Sequence, residues 1–152
     1  MNTLIKLITL ITFLIMTKYA FTATSGSIIL RGNVPRVLSV SIVSNGSTSL
    51  DLGSTQNDLI IGYVNSLSNS SLGYKITFDS LNNGKLLNGT AFVAYSLKYD
   101  STLLDLNGLS EINKSVIGLE SKPLKISYIG VDLESIEAGD YEDVVTVSVV
   151  AN

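Results

Sequence analysis

The chain has 152 residues, 45% hydrophobic and 15% charged, with a formal charge of -3 and no His, Cys or Trp. That length and apolarity fit one domain with a real core. The missing His and Cys remove the usual general base, the thiol nucleophile and nearly all zinc, haem and iron–sulfur ligation, so neither an enzyme nor a cofactor is expected. The acidic balance offers no basic stripe for nucleic acid.

Residues 1–23 read as a secretory signal peptide. Lys6 precedes an apolar run over 7–16, and small residues follow around Ala20, Thr22, Ala23 and Ser25. The run is shorter than the roughly 20 residues of a comfortable membrane span. An uncleaved membrane anchor is the alternative, with Lys18 just after the run. Without Cys a lipoprotein anchor is excluded. Past the signal, 8 basic residues face 13 acidic ones, a charge of -5. The expected product is exported, acidic and without disulfides, stabilised by packing and sheet pairing alone.

The rest carries the period of strands. Residues 27–32, "SIILRG", form a short β-prone segment, and Pro35 separates it from 36–43, where Leu38, Val40 and Ile42 alternate against Val37, Ser39 and Ser41. "SLDLG" places Leu50 and Leu52 on one face, and "DLIIGYVN" places Leu59, Ile61 and Tyr63 together. The Ser/Asn-rich stretch 65–71 reads as an exposed connection. In "GYKITFDS", Tyr74, Ile76 and Phe78 face in while Lys75, Thr77 and Asp79 face out. The turn "LNNGKLLNG" follows, with Asn83-Gly84 and Asn88-Gly89 suited to positive φ. Then Ala91, Val93, Tyr95, Leu97 and Tyr99 share a face, 101–121 is looser, and Leu124, Ile126 and Tyr128 share another. A turn at 138–140 leads into a last strand with Val145, Val147 and Val149 on one face. About seven short strands without a long helix predict an all-β, immunoglobulin-like antiparallel sandwich. The last strand, apolar on one face, needs partners for its backbone and for that face.

Motifs for chemistry are sparse. Asp132, Glu134, Glu137, Asp140, Glu142 and Asp143 cluster, yet their spacing matches no calcium loop, and a solvated turn is the expected reading. "DLNGLSE" over 105–111 also has the wrong spacing. No Gly-x-Ser-x-Gly elbow occurs, and Gly84-Lys85 has Leu86 where a phosphate loop needs Ser or Thr. Asn45, Asn69, Asn88 and Asn113 begin glycosylation sequons, of the kind an Asn/Ser-rich chain produces by chance. Tyr63, Tyr95, Tyr99 and Tyr128 could present a sugar-binding patch, but alternation favours core positions for Tyr95 and Tyr99.

"LGYKITFDSLNNGKLLNGTAFVAYSLKYD", "IEAGDYEDVVTVSV" and "SIILRGNVPRVLSVSI", in their order after a signal peptide, resemble the middle, end and start of secreted pilin-like subunits of the spore coat U and archaic chaperone–usher group. The resemblance covers most of 27–152. It departs at Val37 and Leu38, near which many such subunits carry a Cys, so a Cys-free alternative fimbrial subfamily is equally open. It implies an incomplete sandwich over 36–152, lacking one strand, and an N-terminal extension over 24–35 that donates the missing strand to a neighbour. Ile28 and Leu30 would be the donor side chains, with Gly26 and Gly32 where the groove is shallow. Leu38, Val40, Ile42, Val145, Val147 and Val149 would line the acceptor groove. The implied partners are a periplasmic chaperone, an outer-membrane usher and identical or related subunits. The implied route runs through the periplasm to a fimbria or coat at the cell surface, with a shaft role rather than a tip role. The rival is a self-complete β-sandwich binding module, adhesin-like, secreted or membrane-anchored, in which 27–32 is simply the first strand.

Overall fold

A computed structural model describes residues 25–46 and 49–152. The signal-peptide assignment lies outside the described residues. Among the described residues no helix is long and apolar enough to cross a membrane. Residues 25–34 belong to a different unit from Pro35–Asn152.

Pro35–Asn152 is the expected antiparallel β-sandwich. Its strands are β1 (Leu38–Ser44), β2 (Gln56–Ser68), β3 (Tyr74–Ser80), β4 (Lys85–Asn88), β5 (Ala91–Tyr99), β6 (Thr102–Leu103), β7 (Ser110–Lys114), β8 (Gly118–Tyr128) and β9 (Val145–Ala151). One sheet runs β1-β2-β8-β5-β4, with β6 also on β5, and the other runs β7-β3-β9. All the strand pairs are antiparallel.

Alternation builds the core where strands are regular, because successive side chains point to opposite faces. Tyr74, Ile76 and Phe78 of β3, Val93, Leu97 and Tyr99 of β5, and Leu124, Ile126 and Tyr128 of β8 are all buried. Each such side chain contributes about 1.5–3 kcal/mol on burial. The Phe78 and Tyr99 rings pack at 5.3 Å between centroids, and the Tyr74 hydroxyl meets Ser66 Oγ at 2.9 Å inside the core. Asn83 and Gly84 take positive φ at 53° and 72°, and Gly89 at 58°, as the turn chemistry requires. Between them lies a short strand, β4, where the sequence suggested only a turn.

Residues 27–32 are in no strand. Three local readings need correction. "SLDLG" is a turn rather than a strand: Asp51 Oδ1 accepts from Gly53 N (3.1 Å) and Oδ2 from Ser54 Oγ (2.7 Å), so a local carboxylate outcompetes the ladder. The stretch 65–68 is strand, not exposed connection, and Ser66 and Ser68 are buried. Their hydroxyls are satisfied by Tyr74 and by the backbone N–H of Ser70. The looser region holds β6, β7 and the first residues of β8, and it buries Leu104 and Leu106. Pro123 fits inside β8 because its own carbonyl accepts from Asp100 N (2.8 Å), one residue past the last β5–β8 pair. The N–H it lacks therefore faces the spot where β5 is already turning away.

A bulge in β2 explains Tyr63. The pairing of β2 with β8 slips between Ile60 and Gly62, which reverses the facing of every later residue. Leu59 and Ile61 pack on the core, but Val64 then takes the inward face and Tyr63 is 40% exposed. Gly62 passes close to β1 there: a Cβ on it would lie 2.8 Å from the Val43 carbonyl oxygen.

Candidate functional site

Among the described residues β1 ends one sheet and pairs only with β2, while β9 ends the other and pairs only with β3. The two come within 8 Å of each other in Cα positions. Each leaves its outer row of N–H and C=O groups without a ladder partner among the described residues, so the described sandwich has a seam along β1 and β9. Elsewhere the chain ties down an edge: Leu87 of β4 exchanges two backbone hydrogen bonds with Glu142, at 2.9 and 3.0 Å.

The six residues expected in an acceptor groove all lie on this seam. Leu38 and Val40 of β1, and Val145, Val147 and Val149 of β9, pack against the core yet are only half-buried. Ile42 is 49% exposed. These strands carry no charged residue, and Ser39, Ser41, Thr146 and Ser148 occupy the opposite face. At one end the seam deepens into a cleft of about 750 Å³, walled by Ile42, Leu52, Ile61 and Val145 and floored by Leu97, Leu124 and Ile126. A cavity of about 150 Å³ holds a benzene ring, so the cleft has room for several aliphatic side chains. Leu52, Ile61 and Leu86 belong to this cleft but were not legible as groove residues. Alternation marked Leu52 and Ile61 as apolar face positions and Leu86 was read within a turn, and only the fold brings them to the cleft.

Asp143 shapes the rim. Its Oδ2 accepts from Ser80 Oγ (2.6 Å) and Tyr95 OH (2.5 Å), and its Oδ1 from Asn82 N (3.0 Å) and Val144 N (2.7 Å). The carboxylate thus ties the end of β3, the β3–β4 turn and β5 to the start of β9. Burial, reinforced by the hydrogen bond to Asp143, pushes the Tyr95 hydroxyl above its ordinary value of 10.0. Of the acids read as a solvated turn, Asp143 is therefore half-buried and fully engaged. Asp132 caps a local turn by accepting from Glu134 N at 3.1 Å. Among the described residues no group of three or more acids is arranged to hold a metal ion.

The tyrosines do not form a patch. Tyr99 and Tyr128 are in the core, Tyr95 is on the cleft wall and Tyr63 is on the outer face. In the extension, Ile28 and Leu30 are 85% and 90% exposed.

The class these observations define is an all-β antiparallel sandwich with an apolar seam between the edge strands β1 and β9. No protein-family model matches the chain, and no curated protein matches it.

Proposed function

We propose that the chain is an exported structural subunit of a bacterial surface fimbria or coat, in which the N-terminal extension of one copy fills the β1–β9 seam of the next. A periplasmic chaperone and an outer-membrane usher would serve it in transit. The observation that supports this reading is the coexistence, among the described residues, of an apolar extension without strand pairing and an apolar seam without a third strand. Exposed apolar residues scattered singly need no explanation, but Ile28, Ile29, Leu30 and Val34 fall within seven residues and all are exposed. An added strand satisfies the backbone rows of β1 and β9 at about 0.5–1.5 kcal/mol per hydrogen bond. Burying Ile28 and Leu30 adds about 1.5–3 kcal/mol each.

The test is a detergent gel of the purified mature chain, run without boiling, beside a variant with Ile28→Asp and Leu30→Asp. A ladder that collapses on boiling and is absent from the variant is the expected result. A single stable monomer for both proteins, formed without a chaperone, would overturn the fibre and favour the self-complete binding module.

A further inference from the structure

The two outer faces of the sandwich differ in charge. On the sheet β7-β3-β9 the outward positions include Lys75, Asp79 and Glu111, with Lys75 Nζ 2.8 Å from the Glu111 carboxylate. On the other sheet the registers of β1, β2 and β8 line up a grid of outward residues, all within Pro35–Asn152. Ser39, Leu67 and Leu119 form one row across the three strands. Ser41, Asn65 and Ser121 form the next, and Val43, Tyr63 and Pro123 the third. No residue of this grid carries a charge, and Val43, Tyr63, Leu67 and Leu119 are exposed. Charge returns in the next row along the strands, where Lys125 stands beside Lys98 and Lys98 pairs with Asp58 at 2.8 Å. The slip in β2 makes this face, because it turns Tyr63, Asn65 and Leu67 outward together.

We infer that this face packs against the same face of a second copy of the chain in a neighbouring fibre, drawing fibres together side by side; this rests on the fibre reading above. Charged residues are depleted at the cores of protein interfaces, where aromatic side chains are enriched. The chain is acidic, with a formal charge of -3, so an uncharged face is where identical copies meet with least repulsion. The pattern is also self-complementary. A twofold axis lying along the middle row lays Asn65 and the two serines on their own kind, and an amide opposite an amide finds both a donor and an acceptor. The same axis sets Leu67 of one copy against Tyr63 of the other, and Leu119 against Pro123, as an isologous contact requires.

Size decides that the contact works between fibres rather than between free monomers. Three strands about 4.8 Å apart and three rows about 6.7 Å apart cover on the order of 300 Å² per copy. That is about 600 Å² for the pair, against the roughly 1,200 Å² of a small stable interface. One such contact does not hold two monomers together, but many in line along two polymers do.

The experiment compares polymers of the unaltered chain with those of Leu119→Lys and Leu119→Glu, each alone and the two mixed, by low-speed sedimentation at low salt beside unboiled detergent gels. Asn113→Lys, exposed on the other outer face, is the control. Leu119 is 71% exposed, so neither substitution disturbs the core. Polymers of the unaltered chain and of Asn113→Lys should pellet. Each Leu119 variant should keep its ladder and stay in the supernatant, because halving the strength of each contact compounds to about a thousandfold over about ten contacts in line. Mixing polymers of the two Leu119 variants should restore the pellet, since opposite charges then face each other where the face meets its own kind. The inference is overturned, with the fibre reading intact, if unaltered polymers stay in the supernatant, if the Leu119 variants pellet like their parent, or if Asn113→Lys disperses as they do. It is equally overturned if the mixture does not pellet, which would assign the face to a different partner. A Leu119 variant without a ladder would place that residue in the joint along the fibre and overturn it too. Absence of any ladder from the unaltered chain removes the fibre reading, and this inference with it.

Discussion

Replacing Asp143 by Ala distinguishes a solvated acidic turn from a structural node. The carboxylate accepts four hydrogen bonds, three of them from part-buried donors: Ser80 Oγ, Tyr95 OH and Asn82 N. The fourth, from Val144 N, is exposed, and water can replace it. Leaving a part-buried donor without its charged acceptor costs about 1–1.5 kcal/mol at the low end of such losses. The three together predict a loss of about 3–4 kcal/mol, a large share of the roughly 5–15 kcal/mol that holds a domain folded. At this chain length each kcal/mol moves Tm by about 2–4 °C, so Tm should fall by about 10 °C. Asp143→Asn keeps one acceptor oxygen and should lie between. Tyr95→Phe should lose about 1 kcal/mol alone and almost nothing more in the Asp143→Ala background, because the two share one bond. The measurement is urea unfolding in the background carrying Ile28→Asp and Leu30→Asp, so that assembly does not contribute to apparent stability. An Asp143→Ala variant within about 0.5 kcal/mol of its parent, the range of ordinary surface changes, would refute the network and restore the solvated turn.

Tyr99 sits in the core with a hydroxyl that has no hydrogen-bond partner among the described residues, so Tyr99→Phe should leave the denaturation midpoint unchanged or raise stability by up to about 1 kcal/mol; a clear loss would mean a water or another group satisfies that oxygen. The Asp58 carboxyl should titrate below its ordinary value of 3.8, held down first by the hydrogen bond from Lys98. Its contribution to stability is then present above that ordinary value and fades as pH falls through the lowered folded one. NMR titration of the Asp58 carboxyl carbon checks this, with Lys98→Ala expected to move it upward and a normal value in the unaltered chain refuting it.

Much of the sandwich is local information. Tyr74, Ile76 and Phe78, then Val93, Leu97 and Tyr99, then Leu124, Ile126 and Tyr128 alternate with polar neighbours, and a strand's period of two turns that spacing directly into a buried face. Asn83, Gly84 and Gly89 mark their turns because few other residues accept positive φ. The apolar faces of β1 and β9 were equally legible, residue by residue, from Leu38 to Ile42 and from Val145 to Val149. What no local pattern contains is which strands stand at the ends of their sheets. That is decided by long-range pairing, which sets β2 beside β1 and β3 beside β9 and leaves their other edges open among the described residues. The slip at Ile61 that turns Tyr63 outward, the burial of Ser66 against Tyr74, and the capture of Asp143 by Ser80 and Tyr95 are decided the same way. Each depends on a partner more than seven residues distant, whose position exists only once the two sheets have closed on their core.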